Sequence, residues 1–358
     1  MRAVRKQAAL VLCSLFAVLL ILEGGIRLYS AFWFPRMMQL DAQLGWKHTP
    51  NVRKVFVNEF GEKVEVRQNQ YGHRGRAYPI AKNPKKLRIL VLGDSFTEGI
   101  QVGEDDLFTA FLERSNPRLE VLNAGVGGYG TVQEYLYLET AGLKHNPNLV
   151  LLMVFENDLA DNCLHAYPGF GPRPYAVLRA QSVQIVRDSE SQEFLKYALP
   201  VPFANALNQH SYLFYFLNNN VYHRLRATHV RELQKADLKR TDECGRYDVM
   251  FGMIRQMAQL VTMHNVRLAL VLIPTREQVE QGNAATLQPI IDYCERERIA
   301  YLSLLGRFRK DMDRSPPYFP RDIHWTKAGH RLAAEEISLF LKNMMPQIIQ
   351  EQIVDGRE

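Results

Sequence analysis

The chain has 358 residues, of which 47% are hydrophobic and 23% charged, as is typical of a globular protein with a full core. The formal net charge of +6 is mild and no run of five or more Lys or Arg occurs, which argues against a nucleic-acid partner. The ten histidines show no ligand spacing with acids or thiols and no CxxC pair occurs, so we expect neither a metal site nor a cofactor.

The amino terminus, residues 1–35, predicts a membrane anchor. Three basic residues precede the uncharged stretch Gln7–Leu22, which would rise about 24 Å as a helix and, continued to Arg27, would cross a hydrocarbon core of about 30 Å. A cleaved signal peptide would show small residues before a cut site, and only a weak candidate occurs around Glu23–Gly25. We therefore expect an uncleaved single-pass anchor, with the amino terminus in the cytoplasm and the remainder in the periplasm.

The cysteine content is compatible with either side of a membrane. Cys13 lies in the predicted anchor, which leaves Cys163, Cys244 and Cys294. Three thiols allow at most one internal disulfide, and Cys163 with Cys244 is the candidate pair.

Hydrophobic patterning divides the rest of the chain. Residues 36–86 alternate between apolar and polar positions, which predicts a small β-rich extension. Across 87–345, short apolar runs alternate with stretches of helical period, which predicts a parallel sheet with helices on both faces. We interpret about 160–245 as an insertion over the carboxyl edge of this sheet, where α/β ligand sites lie, and 346–358 as a tail. The predicted strands are 87–92, 119–124, 149–155, 266–273 and 299–304, and the predicted helices are 104–115, 131–143, 247–263 and 327–344.

Two motifs follow the first two predicted strands. Ser95, in VLGDSFTEG (91–99), is placed either as a nucleophile at a strand end or as part of a helix cap. NAGVGGYGT (123–131) has four glycines within six positions, which let a backbone approach a ligand closely, although a plain turn between strand and helix is the alternative.

Two more motifs lie later in the chain. Asn157 follows the third strand, where its amide can donate into a cleft or close an Asx-turn. Asp322 and His324 precede the last helix, and residues two apart in an extended segment point to the same side, so the aspartate can orient the imidazole. An ordinary surface loop is the alternative for this pair.

Taken together, these motifs resemble the SGNH, or GDSL-type, hydrolase family over about residues 86–345, and the anchor with NQYGHRG (69–75) resembles its membrane-anchored branch. The resemblance implies a three-layer α/β/α fold with a five-stranded parallel sheet of flavodoxin-like order. It also implies a nucleophile, a base and an orienting acid, and three donors to an oxyanion hole. These are Ser95, His324 and Asp322 for the triad, and Ser95, Gly128 and Asn157 for the oxyanion hole.

Two departures from the family pattern bear on function. Phe155 occupies the usual glycine position of the G-x-N-D motif, which narrows the cleft beside Asn157. The last motif reads D-I-H-W where D-x-x-H is common, and this form resembles the alginate and peptidoglycan O-acetyltransferases of the same superfamily.

The functional hypothesis is an extracytoplasmic serine esterase that acts on O-acyl groups of a glycan or a lipid-linked substrate. One alternative is an O-acetyltransferase to a cell-envelope polysaccharide, and another is a non-catalytic glycan-binding or assembly protein of the same fold. The aromatic residues of SYLFYF are either sugar-stacking positions in the insertion or ordinary core. They are Tyr212, Phe214, Tyr215 and Phe216.

Overall fold

A five-stranded parallel sheet forms the centre of this protein, as seen in a computed structural model. The structure describes residues 2–33, 35–167, 171–180, 182–187, 207, 210–217 and 244–346. The described strands are β1 (Met38–Asp41), β2 (Gly45–His48), β3 (Arg53–Val57), β4 (Lys63–Arg67), β5 (Leu87–Leu92), β6 (Leu119–Asn123), β7 (Leu149–Val154), β8 (Ala166–Tyr167), β9 (Gly171–Pro172), β10 (Tyr175–Arg179), β11 (Ser182–Val186), β12 (Arg267–Leu272) and β13 (Ala300–Ser303).

Helices of very different length accompany these strands. The longest has 32 residues and opens the chain, and the shortest α-helices are single turns. The described α-helices are α1 (Arg2–Trp33), α2 (Ser95–Glu98), α3 (Phe108–Ser115), α4 (Thr131–Thr140), α5 (Asp158–Asp161), α6 (Tyr212–Leu217), α7 (Arg246–Met263), α8 (Arg276–Gln281), α9 (Gln288–Glu297), α10 (Leu305–Asp311) and α11 (Lys327–Met344).

The order of strands in the sheet is β13-β12-β7-β5-β6, and every neighbouring pair is parallel. Counted along the chain this is the order 2-1-3-4-5 of flavodoxin-like folds. The predicted three-layer α/β/α fold with a five-stranded parallel sheet is therefore confirmed. The chain reverses its direction of winding at β5, and ligand sites of such sheets lie beyond the carboxyl ends of the strands at that point.

Strand β7, LVLLMV, explains why the sheet is covered on both faces. All six of its residues are buried, and alternate side chains of a strand point to opposite faces. Leu151 and Met153 join one hydrophobic cluster with residues of α10 and α11. Leu152 and Val154 join the other, with residues of α7 and α9.

The last helix, α11, begins where the sequence pattern predicts. The side-chain oxygen of Thr326 accepts the N–H of Gly329 at 3.3 Å, which caps the first turn. This cap ends the preceding irregular segment at a fixed point, and that segment contains Asp322 and His324.

The extension 36–86 contains two hairpins, β1–β2 and β3–β4, both antiparallel. The first hairpin is packed on the main domain, because Leu44 and Trp46 share a hydrophobic cluster with Val132 and Val249 of α4 and α7. The division of the chain into separate domains at the predicted boundaries stays a prediction.

Helix α1 contains a candidate membrane span, Val4–Ser30, of 27 residues, and its most apolar 18-residue window has a mean hydropathy of 2.4. None of its most apolar window is buried against the rest of the described chain. Its length and composition suit a membrane anchor and a signal sequence alike.

The predicted insertion, about 160–245, lies largely outside the described residues, as does the tail from 347 onward. Its two ends are joined by a disulfide between Cys163 and Cys244, which confirms the candidate pair. Helix α6 of this region is packed against α1, where the carboxylate of Glu23 accepts the N–H groups of Tyr212 and Leu213, each at 2.9 Å.

Four carboxyl groups are buried together beneath the carboxyl edge of the sheet: those of Asp94, Glu134, Asp158 and Asp161. Burial raises the pKa of Glu134 and of Asp158 well above the usual range, and mutual repulsion within the group adds to the effect. Burial also raises the pKa of Asp161 to about 6, against the opposing effect of the Arg173 guanidinium 3.6 Å away. Glu134 and Asp158 therefore keep their protons to a higher pH in the folded chain than in the unfolded chain.

A raised carboxyl pKa makes the free energy of unfolding depend on pH. Glu134 keeps its proton to a higher pH in the folded chain than in the unfolded chain, so its contribution to stability is full below the unfolded pKa and is lost as the pH rises through the folded pKa. The free energy of unfolding of Glu134→Gln, compared with that of the original chain, should therefore increase as the pH rises from 5 to 8. Denaturant unfolding in detergent at the two pH values measures this difference.

Glu139→Gln, on the exposed side of the same helix, serves as the matched control and should follow the original chain at both pH values. A Glu134→Gln variant whose stability difference is the same at pH 5 and pH 8 would contradict the protonated state of Glu134.

Candidate active site

Ser95 lies directly beyond β5, at the carboxyl edge of the sheet. Asp94 caps the single-turn helix α2, since its Oδ1 accepts the N–H of Phe96 at 2.9 Å. Ser95 is then the first helical residue, and its Oγ lies 2.7 Å from Nε2 of His324. The capping role and the nucleophile position therefore belong to two neighbouring residues.

Asp322 and His324 are in hydrogen-bond contact with each other. Nδ1 of His324 bonds to Oδ1 of Asp322, and the same oxygen accepts the backbone N–H of His324 at 3.0 Å. The hydrogen bond from His324 is the main reason that the pKa of Asp322 lies below its usual range, so the carboxylate is ionised. Because an ionised carboxylate only accepts, Nδ1 carries the proton, and in the neutral ring Nε2 is left to accept from Ser95.

The structure thus brings together Ser95, His324 and Asp322, the three residues that the sequence motifs nominate. The side chains of His324 and Asp322 are 17% and 34% exposed, so the pair is open to a ligand from solvent. Phe96 lies under the imidazole with its ring centroid 5.0 Å away, which supports the ring from the protein side.

The glycine-rich loop after β6 adopts a backbone that requires glycine at position 128. Gly128 has φ +78°, and a Cβ there would lie 3.1 Å from the ring of Tyr167 and 3.3 Å from that of Trp46. Among the described residues, neither the N–H of Ser95 nor the N–H of Gly128 donates to another group. Both are therefore free to donate to a ligand.

Asn157 lies at the end of β7 with both hydrogens of its amide engaged. Its Nδ2 donates to Oδ2 of Asp94 at 3.1 Å and to Oδ2 of Asp161 at 2.9 Å. Its Oδ1 is buried and accepts no hydrogen bond from any described residue. An amide between two carboxyl groups is thereby held in place, and its predicted role as an oxyanion donor requires that one of these bonds be released.

A cavity of about 580 Å³ opens beside Asn157. Phe155, the residue in the usual glycine position, lines it and is also packed on Phe96 at a centroid distance of 4.5 Å. The cavity combines aromatic, charged and hydroxyl groups. Its lining residues are Phe155, Glu156, Asn157, Leu159, Arg246, Tyr247 and Thr286.

Sequence reasoning did not find the groups that hold this site from outside the main domain. The carboxylate of Glu59, in the turn between β3 and β4, accepts the N–H of Arg321 at 3.0 Å and the N–H of Asp322 at 2.8 Å. Trp46 and Glu98 hydrogen-bond to the glycine-rich loop, and His48 contacts Glu98. No local pattern marks these residues, because their partners lie tens to hundreds of positions away in the chain.

The aromatic residues of SYLFYF have contacts elsewhere. The guanidinium of Arg36 lies 4.0 Å from the ring centroid of Tyr215 and 4.8 Å from that of Tyr212. These rings are thus packed beside the end of α1, which favours a structural role over sugar stacking.

Several solved structures are similar to this chain at low sequence identity. A two-domain esterase (CEX) active on acetylated mannans is 15% identical with a TM-score of 0.38, and the match covers 72% of this chain and 49% of that one. A catalytic mutant of Axe2, an acetylxylan esterase from Geobacillus stearothermophilus, is 13% identical with a TM-score of 0.40, covering 73% and 96%. TesA is 14% identical with a TM-score of 0.39, covering 72% and 99%.

A family model supplies the decisive comparison. No curated protein matches the chain significantly in sequence. The model of the GDSL-like lipase/acylhydrolase family, however, matches residues 91–332, which is more than half of the chain and includes every residue of the proposed triad. This protein is an ester-bond hydrolase that belongs to the GDSL-like lipase/acylhydrolase family.

Proposed function

We propose that this protein is a serine esterase in which Ser95 is the nucleophile, His324 the general base and Asp322 the acid that orients the imidazole. The observation that carries the proposal is the 2.7 Å contact between Ser95 Oγ and His324 Nε2, with Asp322 on the other ring nitrogen. A serine hydroxyl is a poor nucleophile until an adjacent base takes its proton. A binding module of the same fold has no use for such a pair.

The reaction follows from this geometry. Ser95 Oγ attacks the ester carbonyl while His324 takes its proton, and Asp322 stabilises the imidazolium that forms. The N–H groups of Ser95 and Gly128 donate to the oxyanion of the tetrahedral intermediate, and Asn157 adds a third donor once it leaves one of its carboxyl partners. His324 then gives the proton to the departing alcohol, and a water molecule, activated by the same imidazole, hydrolyses the acyl-enzyme.

Removing either half of the nucleophile–base pair should abolish most turnover. We expect Ser95→Ala and His324→Ala each to lower kcat on a short aryl ester by about 10,000-fold or more, with the double variant little worse because the residues act as a unit. Asp322→Asn should have a comparable or milder effect, since it changes the tautomer and not the nucleophile.

His264→Ala, a change at the exposed end of α7, is the control and should retain the original rate. Ser95→Ala with the original rate on every ester tried would remove Ser95 from the mechanism.

For the substrate we propose the O-acyl group of a glycan or lipid-linked glycan. The cavity beside Asn157 supports this, because Glu156, Asn157, Arg246 and Thr286 give it polar groups that can hydrogen-bond a hydroxylated ligand. The tryptophan of D-I-H-W does not favour transfer over hydrolysis, because Trp325 is buried and packed on Phe96, Phe108 and Phe308. Hydrolysis is therefore the reaction proposed.

The fate of the acyl group separates hydrolysis from transfer. We expect the full chain in detergent to release free acetate from acetylated oligosaccharides, with a higher kcat/KM than on a long-chain aryl ester. Acetate and acetylated sugar are measured separately after addition of an activated acetyl ester and unmodified oligosaccharide. Acetylated sugar without free acetate would overturn hydrolysis, and preference for the long-chain ester would overturn the glycan substrate.

We further propose that α1 remains as an anchor and that the hydrolase domain lies outside the cytoplasm. The apolar stretch Val4–Ser30 supports the anchor. The disulfide between Cys163 and Cys244 supports an oxidising compartment, because disulfides rarely persist in the cytosol. Arg2, Arg5 and Lys6, ahead of the uncharged stretch Gln7–Leu22, favour a cytoplasmic amino terminus.

A reporter that is active only outside the cytoplasm, fused after Glu358, tests this arrangement. We expect activity of this reporter, and a chain that remains in the membrane fraction at its full length. Activity of a cytoplasmic reporter at the same position would contradict the orientation, and a shortened soluble chain would contradict the uncleaved anchor.

A further inference from the structure

Strand β2 of the extension brings Trp46 to the glycine-rich loop and His48 to Glu98, which itself contacts that loop. Trp46 and His48 are two positions apart, so their side chains lie on the same face of the strand. Both are almost completely buried, Trp46 at 1% and His48 at 3% exposure. A buried indole N–H and a buried imidazole each need a hydrogen-bond partner. The partner of Trp46 is the carbonyl of Gly127, and a partner of His48 is Glu98, whose carboxylate also binds the N–H of Gly127.

Trp46 acts on the carbonyl of Gly127. Its Nε1 donates to that oxygen at 3.1 Å. The carbonyl of Gly127 and the N–H of Gly128 belong to one peptide plane, and in a trans peptide they point in opposite directions. Holding the carbonyl on the side of β2 therefore directs the Gly128 N–H away from β2. This is the N–H that the described residues leave unpaired.

His48 acts on the other side of the same residue through Glu98. The carboxylate of Glu98 accepts the N–H of Gly127 at 2.9 Å with one oxygen and contacts His48 Nε2 at 2.9 Å with the other. Burial alone would raise the pKa of Glu98. The imidazole of His48, the hydrogen bond from the Gly127 N–H and the charge of Arg74 together hold this pKa below the usual range. An ionised Glu98 accepts at both oxygens, so His48 donates through Nε2.

His48 is itself fixed by the segment NQYGHRG (69–75). Its Nδ1 lies 2.8 Å from the carbonyl oxygen of Gly72, within hydrogen-bond distance. Glu98 also ends helix α2, which begins with Ser95. One connected set of hydrogen bonds thus joins the extension to the serine helix and to the glycine-rich loop.

We propose that Trp46 and His48 are positioning residues, which fix the peptide plane of Gly127 and Gly128 so that the Gly128 N–H meets the developing oxyanion. The inference rests on the proposed function, since it needs a serine reaction with an oxyanion. It makes the extension a part of the active site, although neither residue touches the substrate. Their effect is on the transition state, where the oxyanion exists, and not on binding of the uncharged ester.

The test compares variants that change the hydrogen bonds while keeping the fold. Trp46→Phe keeps an aromatic ring and removes the N–H donor, and should lower kcat about tenfold or more while KM changes less than about twofold. His48→Leu should have a similar effect, and His48→Gln, which retains a donor for Glu98, should recover part of the loss. Lys47→Met, between the two on the exposed face, is the control and should match the original chain.

Binding of an aryl boronic acid, whose tetrahedral adduct with serine carries an oxyanion, gives a readout that a purely structural role would not move. Its affinity should fall in parallel with kcat/KM in Trp46→Phe and His48→Leu, while the affinity for the product alcohol stays constant. All variants are measured in the full chain in detergent, at a temperature below the unfolding midpoint of each. If Trp46→Phe does not fold, comparison of the original chain with His48→Leu and His48→Gln makes the same test.

Two results would overturn the inference: unchanged kcat and boronate affinity in both variants, or losses of product affinity as large as those of boronate affinity. These outcomes differ from a failure of the proposed function. If esterase activity did not depend on Ser95, the function itself would be wrong, whereas Ser95-dependent activity that ignores Trp46 and His48 would remove the positioning role alone.

Discussion

The hydrogen bond between Ser95 and His324 joins residues that are 229 positions apart, and the rest of the architecture provides the conditions for it. The parallel sheet brings the end of β5 to the point where the winding reverses, and Ser95 follows that end. The last helix, α11, is packed against α3 and begins at a capped turn, which holds the preceding loop beside Ser95. A shift of the imidazole by 1 Å would lengthen a 2.7 Å contact beyond hydrogen-bond range, so both ends need firm support.

Part of that support comes from outside the α/β domain. Hairpin β3–β4 supplies Glu59, which accepts the backbone N–H groups of Arg321 and of Asp322, the acid of the proposed triad. Phe60 in the same turn lies 4.9 Å from the ring of Phe319, which adds an apolar contact to the polar one. Hairpin β1–β2 supplies contacts to the glycine-rich loop on the opposite side. The extension therefore contacts both walls of the candidate site.

Several ionisable side chains are buried beneath the site. Arg88 and Glu120 form a buried ion pair at 2.9 Å, and His48 contacts Glu98 at the same distance. Burial raises the pKa of the carboxyl groups of Asp94, Glu134, Asp158 and Asp161, because ionising several of them together in a dry interior costs free energy that their one close cation offsets only in part. This limits the negative charge close to the position where an oxyanion would form.

Regular periodicity explains what could be predicted from the sequence. The β7 run LVLLMV has no polar position, and α11 has a clear apolar face with a threonine before it, so the strand and the helix were predicted to within a residue. Ser95 and His324 could be nominated because Ser95 follows the predicted strand 87–92, His324 precedes the predicted helix 327–344, and the motifs around them resemble the GDSL-type family.

What the sequence did not predict depends on contacts between distant segments. The capture of the Asn157 amide by Asp94 and Asp161 needs the packing of α5 against the β5 turn, and no spacing along the chain reports it. Trp46 and His48 lie in a short strand with ordinary composition, and their partners at Gly127 and Glu98 are 81 and 50 positions away. Cys163 and Cys244 could be paired only because so few thiols were available.

The central claim is that Ser95 is a nucleophile activated by His324, and covalent labelling measures this most directly. A fluorophosphonate probe reacts with an activated serine and adds its phosphonyl group to Oγ, and mass spectrometry of the digested protein locates the adduct. The account predicts one adduct, on the peptide that contains Ser95, forming at a rate that falls sharply in His324→Ala. An adduct on another residue would contradict it, and so would ester turnover that continues after Ser95 has been labelled.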